Sequence, residues 1–248
     1  RHEFVLHYQP QLDLRTQAIT GMEALIRWDR GGKNMLRPAE FISVAEDTRL
    51  ILPIGEWAIE EACRQGQAWY SEGAGMRIAV NVSPRQFQQP NVVSMIRDAV
   101  ERSGFDPRYL EIEITETVVM QNAQAAVAML DRLSQMGIHL AVDDFGTGYS
   151  SLAYLRGLPI DKLKIDRSFV RDIGAGEEAG AGVLAQAIIS LGHNLHLHVV
   201  AEGVETDAQV RFLKRHRCDE VQGFFYGEPV EPVAHAKLLG TAKVRKRA

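Results

Sequence analysis

Residues 123–144 read AQAAVAMLDRLSQMGIHLAVDD, and this stretch contains a complete helix-and-strand unit. Apolar residues recur at helical spacing through 123–136, and Gly137 follows as a residue that commonly ends a helix. The next segment, 138–143, is short and apolar, as expected of a buried strand. Its end is marked by two adjacent carboxylates, Asp143 and Asp144. The stretch therefore predicts an α/β fold in which acidic side chains lie at the end of a strand.

The same alternation of strand and helix continues along the chain in both directions. Gly104 and Gly192 are stop signals after two further predicted helices, as Gly137 is here. Repeated alternation over 248 residues favours a (β/α)8 TIM-type barrel over an open doubly wound sheet. The predicted strands are 4–10, 19–28, 76–83, 109–115, 138–143, 160–166, 195–202 and 219–224. The main predicted helices are 54–72, 92–103, 123–136, 182–191 and 207–215.

Polar side chains fall repeatedly on one side of these strands. In the segment 76–83, Ile78 and Val80 alternate with Arg77 and Asn81. One side of every barrel strand faces the helices and the other faces the interior, so the polar set is expected to point inward. Six further strands add inward polar residues, namely Glu23, Arg27, Glu111, Glu113, Asp143, Lys162, Lys164, Asp166, His196, His198, Glu202, Glu220 and Gln222.

Charges inside a barrel are costly unless they are paired or bind a cation. Lys164 and Arg27 are too few to neutralise the acids near the carboxyl ends of the strands, which favours a divalent metal site over a network of buried ion pairs. For an Asp-Asp pair taken alone, a solvated acidic turn is the alternative. The acids concerned are Glu23, Glu113, Asp143, Asp144 and Glu202.

The expected ligands are hard oxygen atoms, which select magnesium or manganese over zinc. His196 and His198 are interpreted as polar packing low in the barrel, because His198 lies about 13 Å along the strand from Glu202. The adjacent Asp143 and Asp144 suit two metals, since one carboxylate can bridge both ions. A two-metal centre with cations nearby predicts hydrolysis of a phosphodiester.

Composition narrows the class of protein further. A formal net charge of -4 argues against a duplex nucleic-acid partner. Cys63 and Cys218 have no CxxC spacing, which fits a reducing cytoplasm. No apolar run is long enough to span a bilayer, so we expect no membrane contact from this segment. Because the first residue is not Met, residues 1–248 are expected to form a single domain taken from a longer polypeptide.

Short motifs lie in a characteristic order along nearly the whole chain. They are Tyr8-Gln9-Pro10, Gly21-Met22-Glu23-Ala24-Leu25-Ile26-Arg27-Trp28, Asn81-Val82-Ser83, Glu113-Ile114-Thr115-Glu116, Asp143-Asp144-Phe145-Gly146-Thr147-Gly148-Tyr149-Ser150-Ser151-Leu152, Leu163-Lys164-Ile165-Asp166, Ala201-Glu202-Gly203-Val204-Glu205 and Gln222-Gly223. Each motif is weak evidence alone. Together they resemble the motifs of the EAL-domain cyclic di-GMP phosphodiesterases.

The resemblance implies a TIM-type barrel whose first strand runs antiparallel to the others. It also implies metal-dependent hydrolysis of cyclic di-GMP to linear pGpG in bacterial second-messenger signalling. Two alternatives stay open: a receptor module that binds cyclic di-GMP with little turnover, and a barrel phosphodiesterase for another diester. A homodimer and an upstream regulatory domain are further expectations from the resemblance, which also allows the full-length protein to be tethered to a membrane.

The motif positions imply roles for the metal ligands and for the groups that act on water. Lys164 would contact the hydrolytic water, and Glu202 would be the general base. The first metal would be held by Glu23, Asn81, Glu113 and Asp143, and the second by Asp143, Asp144 and Glu202.

The remaining assignments concern the ligand groove and the loop after Asp144. By resemblance, Arg27 would clamp a phosphate, and the groove would be lined by Gln9, Leu25 and Gln222. Glu116 and Glu205 would brace the loop, with a surface or helix-capping carboxylate as the alternative for both.

Overall fold

The computed structural model describes residues 3–31, 35–121, 123–148, 155–173 and 182–233. Their strands are β1 (Phe4–Asp13), β2 (Ile19–Asp29), β3 (Met35–Leu36), β4 (Arg77–Asn81), β5 (Leu110–Thr115), β6 (His139–Phe145), β7 (Lys162–Ile165), β8 (His198–Ala201) and β9 (Glu220–Gln222). Eight of these strands close into a barrel in the order β1-β2-β4-β5-β6-β7-β8-β9, and β9 pairs with β1. The two-residue β3 pairs only with the end of β2 within the described sheet. The predicted (β/α)8 TIM-type barrel is confirmed.

The first strand runs antiparallel to both of its neighbours, β2 and β9, whereas the other neighbouring barrel strands are parallel. The reason is the short link between Asp13 and Ile19, since so few residues can join only antiparallel strands. The antiparallel first strand implied by the resemblance is therefore confirmed. This direction places Gln9 of β1 opposite Glu23 of β2, near the carboxyl ends of the parallel strands.

Five of the described helices correspond to predicted ones, and the remaining α-helices are too short to give an apolar periodicity. The longest begins at Ile51, three residues before the predicted start, because Pro53 lies in the first turn, where its missing N–H loses no hydrogen bond. None of the helices described here combines the length and apolar character needed to cross a bilayer. The α-helices are Ile42–Asp47, Ile51–Ser71, Pro84–Phe87, Val92–Ser103, Glu116–Gln121, Ala123–Gln135, Arg167–Arg171, Val183–Asn194 and Asp207–Arg215, with 3-10 turns at Pro38–Glu40 and Pro107–Tyr109.

Two of the predicted glycine stop signals are confirmed and one is wrong. Gly104 and Gly137 follow their helices, but Gly192 lies inside the helix Val183–Asn194. A Cβ on Gly192 would lie 2.4 Å from Cγ2 of Val199 on β8. The glycine therefore allows the helix to pack closely on the barrel, which is a tertiary requirement that local sequence does not reveal.

The end of the barrel away from Gln9 contains a buried ion-pair network. Lys162 Nζ lies 3.0 Å from Glu111 Oε2 and 2.7 Å from Glu220 Oε2, and Arg77 Nη2 lies 2.8 Å from Glu220 Oε1. All four side chains belong to the set predicted to point inward. A network of buried ion pairs was the alternative to a metal site for the inward acids. In this lower layer of the barrel, the acids do form such a network.

The interpretation of His196 and His198 as packing inside the barrel is wrong, because both side chains are exposed. His196 lies in the turn before β8 with a φ of 61°, and His198 is the first residue of that strand. Both residues therefore lie at the rim of the barrel, where strand parity no longer determines direction.

Candidate metal centre

Lys164 lies fully buried at the centre of a group of carboxylates near the carboxyl ends of the strands. Its Nζ lies 2.7 Å from Glu113 Oε2 and 2.7 Å from Glu202 Oε1. Asp143 Oδ1 at 3.4 Å and Glu23 Oε2 at 3.7 Å complete the group. Burial opposes protonation of the amine, but the four carboxylates outweigh it and raise the pKa of Lys164 well above its usual value. The surrounding carboxylates therefore favour the protonated form of Lys164.

Amide side chains from two other strands hold Glu23 in place. Asn81 Nδ2 donates to Glu23 Oε1 at 2.7 Å, and Gln222 Nε2 donates to Oε2. Gln222 also donates to Gln9 Oε1 at 3.0 Å and accepts a hydrogen bond from Gln11 Nε2 at 3.1 Å. Burial opposes ionisation of Glu23, but the buried ammonium and these amides outweigh it and lower the pKa of Glu23. The network fixes an ionised carboxylate where β1, β2, β4 and β9 meet.

Three carboxylates converge at the ends of β6 and β8. Asp143, Asp144 and Glu202 each offer an oxygen within 4.8 Å of the other two. Successive residues of a regular strand point to opposite sides, but the pairing of β6 with β7 shifts register between Val142 and Phe145, and Asp144 has a φ of 53°. This irregularity brings both aspartates to one site.

Burial, and then repulsion among these acids, raises their pKa values. Burial, and then Asp143, raises the pKa of Glu202 to about 8. Burial, followed by Asp143 and Asp166, raises the pKa of Asp144 to about 6. Burial also raises the pKa of Asp143, and burial together with Glu23 does so for Glu113. A bound cation would relieve this repulsion.

The donor atoms fit a hard divalent cation. Oε1 of Glu113 is buried and accepts no hydrogen bond from the residues that the structure describes. A buried carboxylate oxygen of this kind is satisfied when it coordinates a cation. The described group that could hold an ion consists of carboxylates alone, which suits magnesium or manganese better than zinc. The structure brings together the carboxylates of the second predicted ligand set, Asp143, Asp144 and Glu202. In the first set, the ammonium of Lys164 lies among the three acids Glu23, Glu113 and Asp143.

The predicted groove residues lie on β1, β2 and β9, and two of them, Gln9 and Gln222, are hydrogen-bonded to each other beside Glu23. Leu25 and Arg27 are half-buried and follow Glu23 at intervals of two residues. Burial, and then the charge of Arg37, lowers the pKa of Arg27, whose Nη1 donates to the backbone carbonyl of Ile26 at 2.9 Å. A guanidinium group suits the binding of a phosphate.

The family model of the EAL domain matches residues 1–229. The chain belongs to the EAL-domain family. The bifunctional diguanylate cyclase/cyclic di-GMP phosphodiesterase MucR of Pseudomonas aeruginosa is 44% identical over 231 residues, and the cyclic di-GMP phosphodiesterase NbdA of the same species is 41% identical over 235 residues. These matches cover 93% and 94% of the chain but 33% and 30% of the relatives, so the chain spans about a third of their length. A solved structure of the PaMucR phosphodiesterase in a c-di-GMP complex has a TM-score of 0.90 and 42% identity, covering 96% of this chain and 95% of that chain.

In this EAL domain, Glu116 contacts the loop that follows Asp144. Its Oε2 accepts a hydrogen bond from the backbone N–H of Gly146 at 2.9 Å. A Cβ on Gly148 would lie 3.0 Å from Glu116 Oε1, so the loop passes directly over this carboxylate. Glu205 has an exposed side chain. Residues 149–152 of the motif lie outside the described residues, and bracing by Glu116 and Glu205 stays a prediction.

Asp166 also belongs to the EAL-domain site, although its motif position gave it no role. Its carboxylate accepts a hydrogen bond from the N–H of Ser168 at 3.0 Å, and its negative charge contributes to raising the pKa of Asp144. Asp166 lies two residues after Lys164, and Gln11 lies two residues after Gln9. Strand parity already placed Asp166 in the inward set, and the same signal would have identified Gln11.

Proposed function

We propose that this EAL domain hydrolyses cyclic di-GMP to linear pGpG with two Mg²⁺ or Mn²⁺ ions. The relatives MucR and NbdA are both named as cyclic di-GMP phosphodiesterases, which supports the substrate. The observation that carries the proposal is the convergence of Asp143, Asp144 and Glu202 beside the buried ammonium of Lys164. The first ion would lie near Glu23, Asn81, Glu113 and Asp143, and the second near Asp143, Asp144 and Glu202.

Each residue of the centre has a distinct part in the proposed reaction. When bound, the ions would lower the pKa of the attacking water and neutralise the phosphate oxygens. When ionised, Glu202 is suited to accept the proton from this water, because burial raises its pKa and so makes its carboxylate a stronger base. Lys164 stays protonated and stabilises negative charge that develops on the phosphoryl oxygens in the transition state. Arg27 orients the phosphate at the mouth of the groove.

The product determines which bond breaks. A bond forms between phosphorus and the water oxygen, and the bond from phosphorus to the 3′ oxygen breaks. The 5′ phosphate therefore stays on pGpG, and the 3′ oxygen leaves as a hydroxyl after taking up a proton. The proton that Glu202 accepts from water balances this uptake.

Incubation of the purified domain with cyclic di-GMP in Mg²⁺, in Mn²⁺ and in EDTA tests the proposal. We expect chromatography to show pGpG with either metal and none in EDTA. The matched control is Asp143→Asn, which removes one ligand charge at nearly constant volume and should give no product. Saturable binding of cyclic di-GMP without pGpG in any metal would instead favour the receptor module. Hydrolysis of another diester without hydrolysis of cyclic di-GMP would favour the third alternative.

The proposal extends to the setting of the domain. We infer a cytoplasmic homodimer joined to an upstream regulatory domain within a longer protein. The free, buried Cys63 and Cys218 suit a reducing compartment, and the matched segment is only 33% of MucR. Light scattering of the eluting protein tests the dimer, which a monomeric mass at all accessible concentrations would contradict.

A further inference from the structure

The short helix Arg167–Arg171 stands between the loops that carry Asp144 and Glu202. It follows directly after β7, the strand of Lys164, and Asp166 caps its first turn. The Asp166 carboxylate accepts hydrogen bonds from the N–H and the hydroxyl of Ser168, and its charge contributes to raising the pKa of Asp144. The start of the helix thus lies near a predicted metal ligand.

One side of this helix packs against the loop after Asp144. A Cβ on Gly146 would lie 2.9 Å from a ring carbon of Phe169 and 3.1 Å from Cδ1 of Ile188. Gly146 has a φ of 97°, so its backbone lies flat against the phenylalanine ring in a conformation that other residues avoid. Its N–H meanwhile donates to Glu116, so polar and apolar contacts hold the same residue.

The start of the same helix contacts the segment after β8. A Cβ on Gly203 would lie 2.5 Å from Cβ and 3.3 Å from Cα of Arg167. Gly203 follows Glu202 directly in sequence. The backbone beside the proposed general base therefore rests against the backbone of the helix with no room for a side chain between them.

We propose that this helix is a spacer that sets the distance between the Asp144 and Glu202 carboxylates, with Phe169 as the positioning residue for Asp144. Asp144 is not a glycine and has a φ of 53°, a conformation that persists only where the surroundings hold it. The Phe169 ring supports the loop two residues after Asp144. The inference rests on the proposed function, because the cation that the two carboxylates share is part of that proposal.

The variants Phe169→Ala and Phe169→Leu test the spacer by Mn²⁺ binding, measured by electron paramagnetic resonance titration without substrate. Phe105 supplies the matched control, because it makes the same kind of contact elsewhere: a Cβ on Gly66 would lie 2.6 Å from its ring. We expect Phe169→Ala to weaken Mn²⁺ binding by about tenfold, the lower end of the range for residues that orient metal ligands. Phe169→Leu should weaken it less, and Phe105→Leu should lower the melting temperature without changing Mn²⁺ affinity.

Wild-type Mn²⁺ affinity in folded Phe169→Ala would overturn the spacer role. If Phe169→Ala does not fold, Phe169→Leu decides, and wild-type affinity there would overturn the proposal in the same way. Equal weakening by Phe105→Leu would show a general loss of stability and would also refute it. Failure of the proposed function is distinguishable, since it would appear as wild-type protein that binds Mn²⁺ but yields no pGpG. A wild-type domain that binds no Mn²⁺ would contradict both.

Discussion

Replacement of Lys164 by methionine tests whether the two layers of buried charge in the barrel have different roles. Lys164 is the common partner of four carboxylates, with contacts of 2.7 Å to both Glu113 and Glu202. Methionine fills a similar volume but carries no charge. The matched control is Lys162→Met in the lower layer, where Lys162 pairs with two acids and no metal is proposed.

The expected loss of stability follows from the buried pairs. Removing one partner of a buried ion pair costs about 3–5 kcal/mol. Glu202, whose pKa burial already raises to about 8, can take up a proton when the ammonium is absent, so we expect the lower value of about 3 kcal/mol. In a domain of this size each kcal/mol changes the melting temperature by about 2–4 °C, which gives a decrease of about 6–12 °C in EDTA.

A divalent cation should reverse this loss at Lys164 and not at Lys162. Without the ammonium the acids are free to bind the ion, and an affinity about 100-fold tighter than that of wild type would add about 2.7 kcal/mol more to the free energy of unfolding of Lys164→Met in saturating Mn²⁺, close to the expected loss. Wild type also binds the ion, so the quantity to compare is the gap between each variant and wild type. Thermal unfolding in EDTA and in Mn²⁺ should show this gap closing for Lys164→Met and staying constant for Lys162→Met. Turnover by Lys164→Met should stay about two orders of magnitude below wild type in saturating Mn²⁺.

Two results would refute the reasoning. If Mn²⁺ narrows the gap equally for both lysine variants, the ion does not act at the upper acids. If Lys164→Met melts lower than wild type but keeps its specific activity, Lys164 is a structural partner of Glu113 without a part in catalysis.

Three further predictions use the same assays. Glu23→Ala should abolish hydrolysis, because it removes a predicted metal ligand; near-native turnover in saturating Mg²⁺ would show that the assignment is wrong. Glu116→Ala should weaken metal activation of turnover by about 10- to 100-fold, because Gly146 loses its acceptor; superimposable Mg²⁺ titrations, with stability lower by about 1 kcal/mol, would favour a helix-capping role. Gly192→Ala should destabilise the fold by about 1–3 kcal/mol, because its Cβ would lie 2.4 Å from Val199, whereas Gly75→Ala, whose nearest neighbour lies at 3.6 Å, should stay near wild type in denaturant unfolding.

The sequence by itself determined the kind of each main element and the direction of its polar side chains. The period of two along a strand is a local property, so it is sufficient to place Arg77, Glu113 and Lys164 in the interior of the barrel. Period alone could not show that β1 is antiparallel, which followed from the resemblance and from the short link after Asp13.

Tertiary structure decided which of the inward charges meet. Lys164 and Lys162 occupy the same side of one strand, yet closure of the barrel gives the first a partner on β2, Glu23, and the second a partner on β9, Glu220. The numbers of acidic and basic residues alone could not show which acids belong to a metal site and which to an ion-pair network. That division depends on the register between strands that are distant in sequence.

The same limit explains the errors and omissions in the sequence analysis. His196 and His198 follow the inward parity but lie where β8 begins, so they face solvent. The bulge at Asp144 depends on the pairing of β6 with β7, and the contact of Phe169 with Gly146 depends on a helix too short to leave a periodic pattern. Sequence therefore determined which chemical groups this protein holds inside its barrel. Distances between those groups were decided only when the chain closed on itself, because they depend on contacts between residues far apart in sequence.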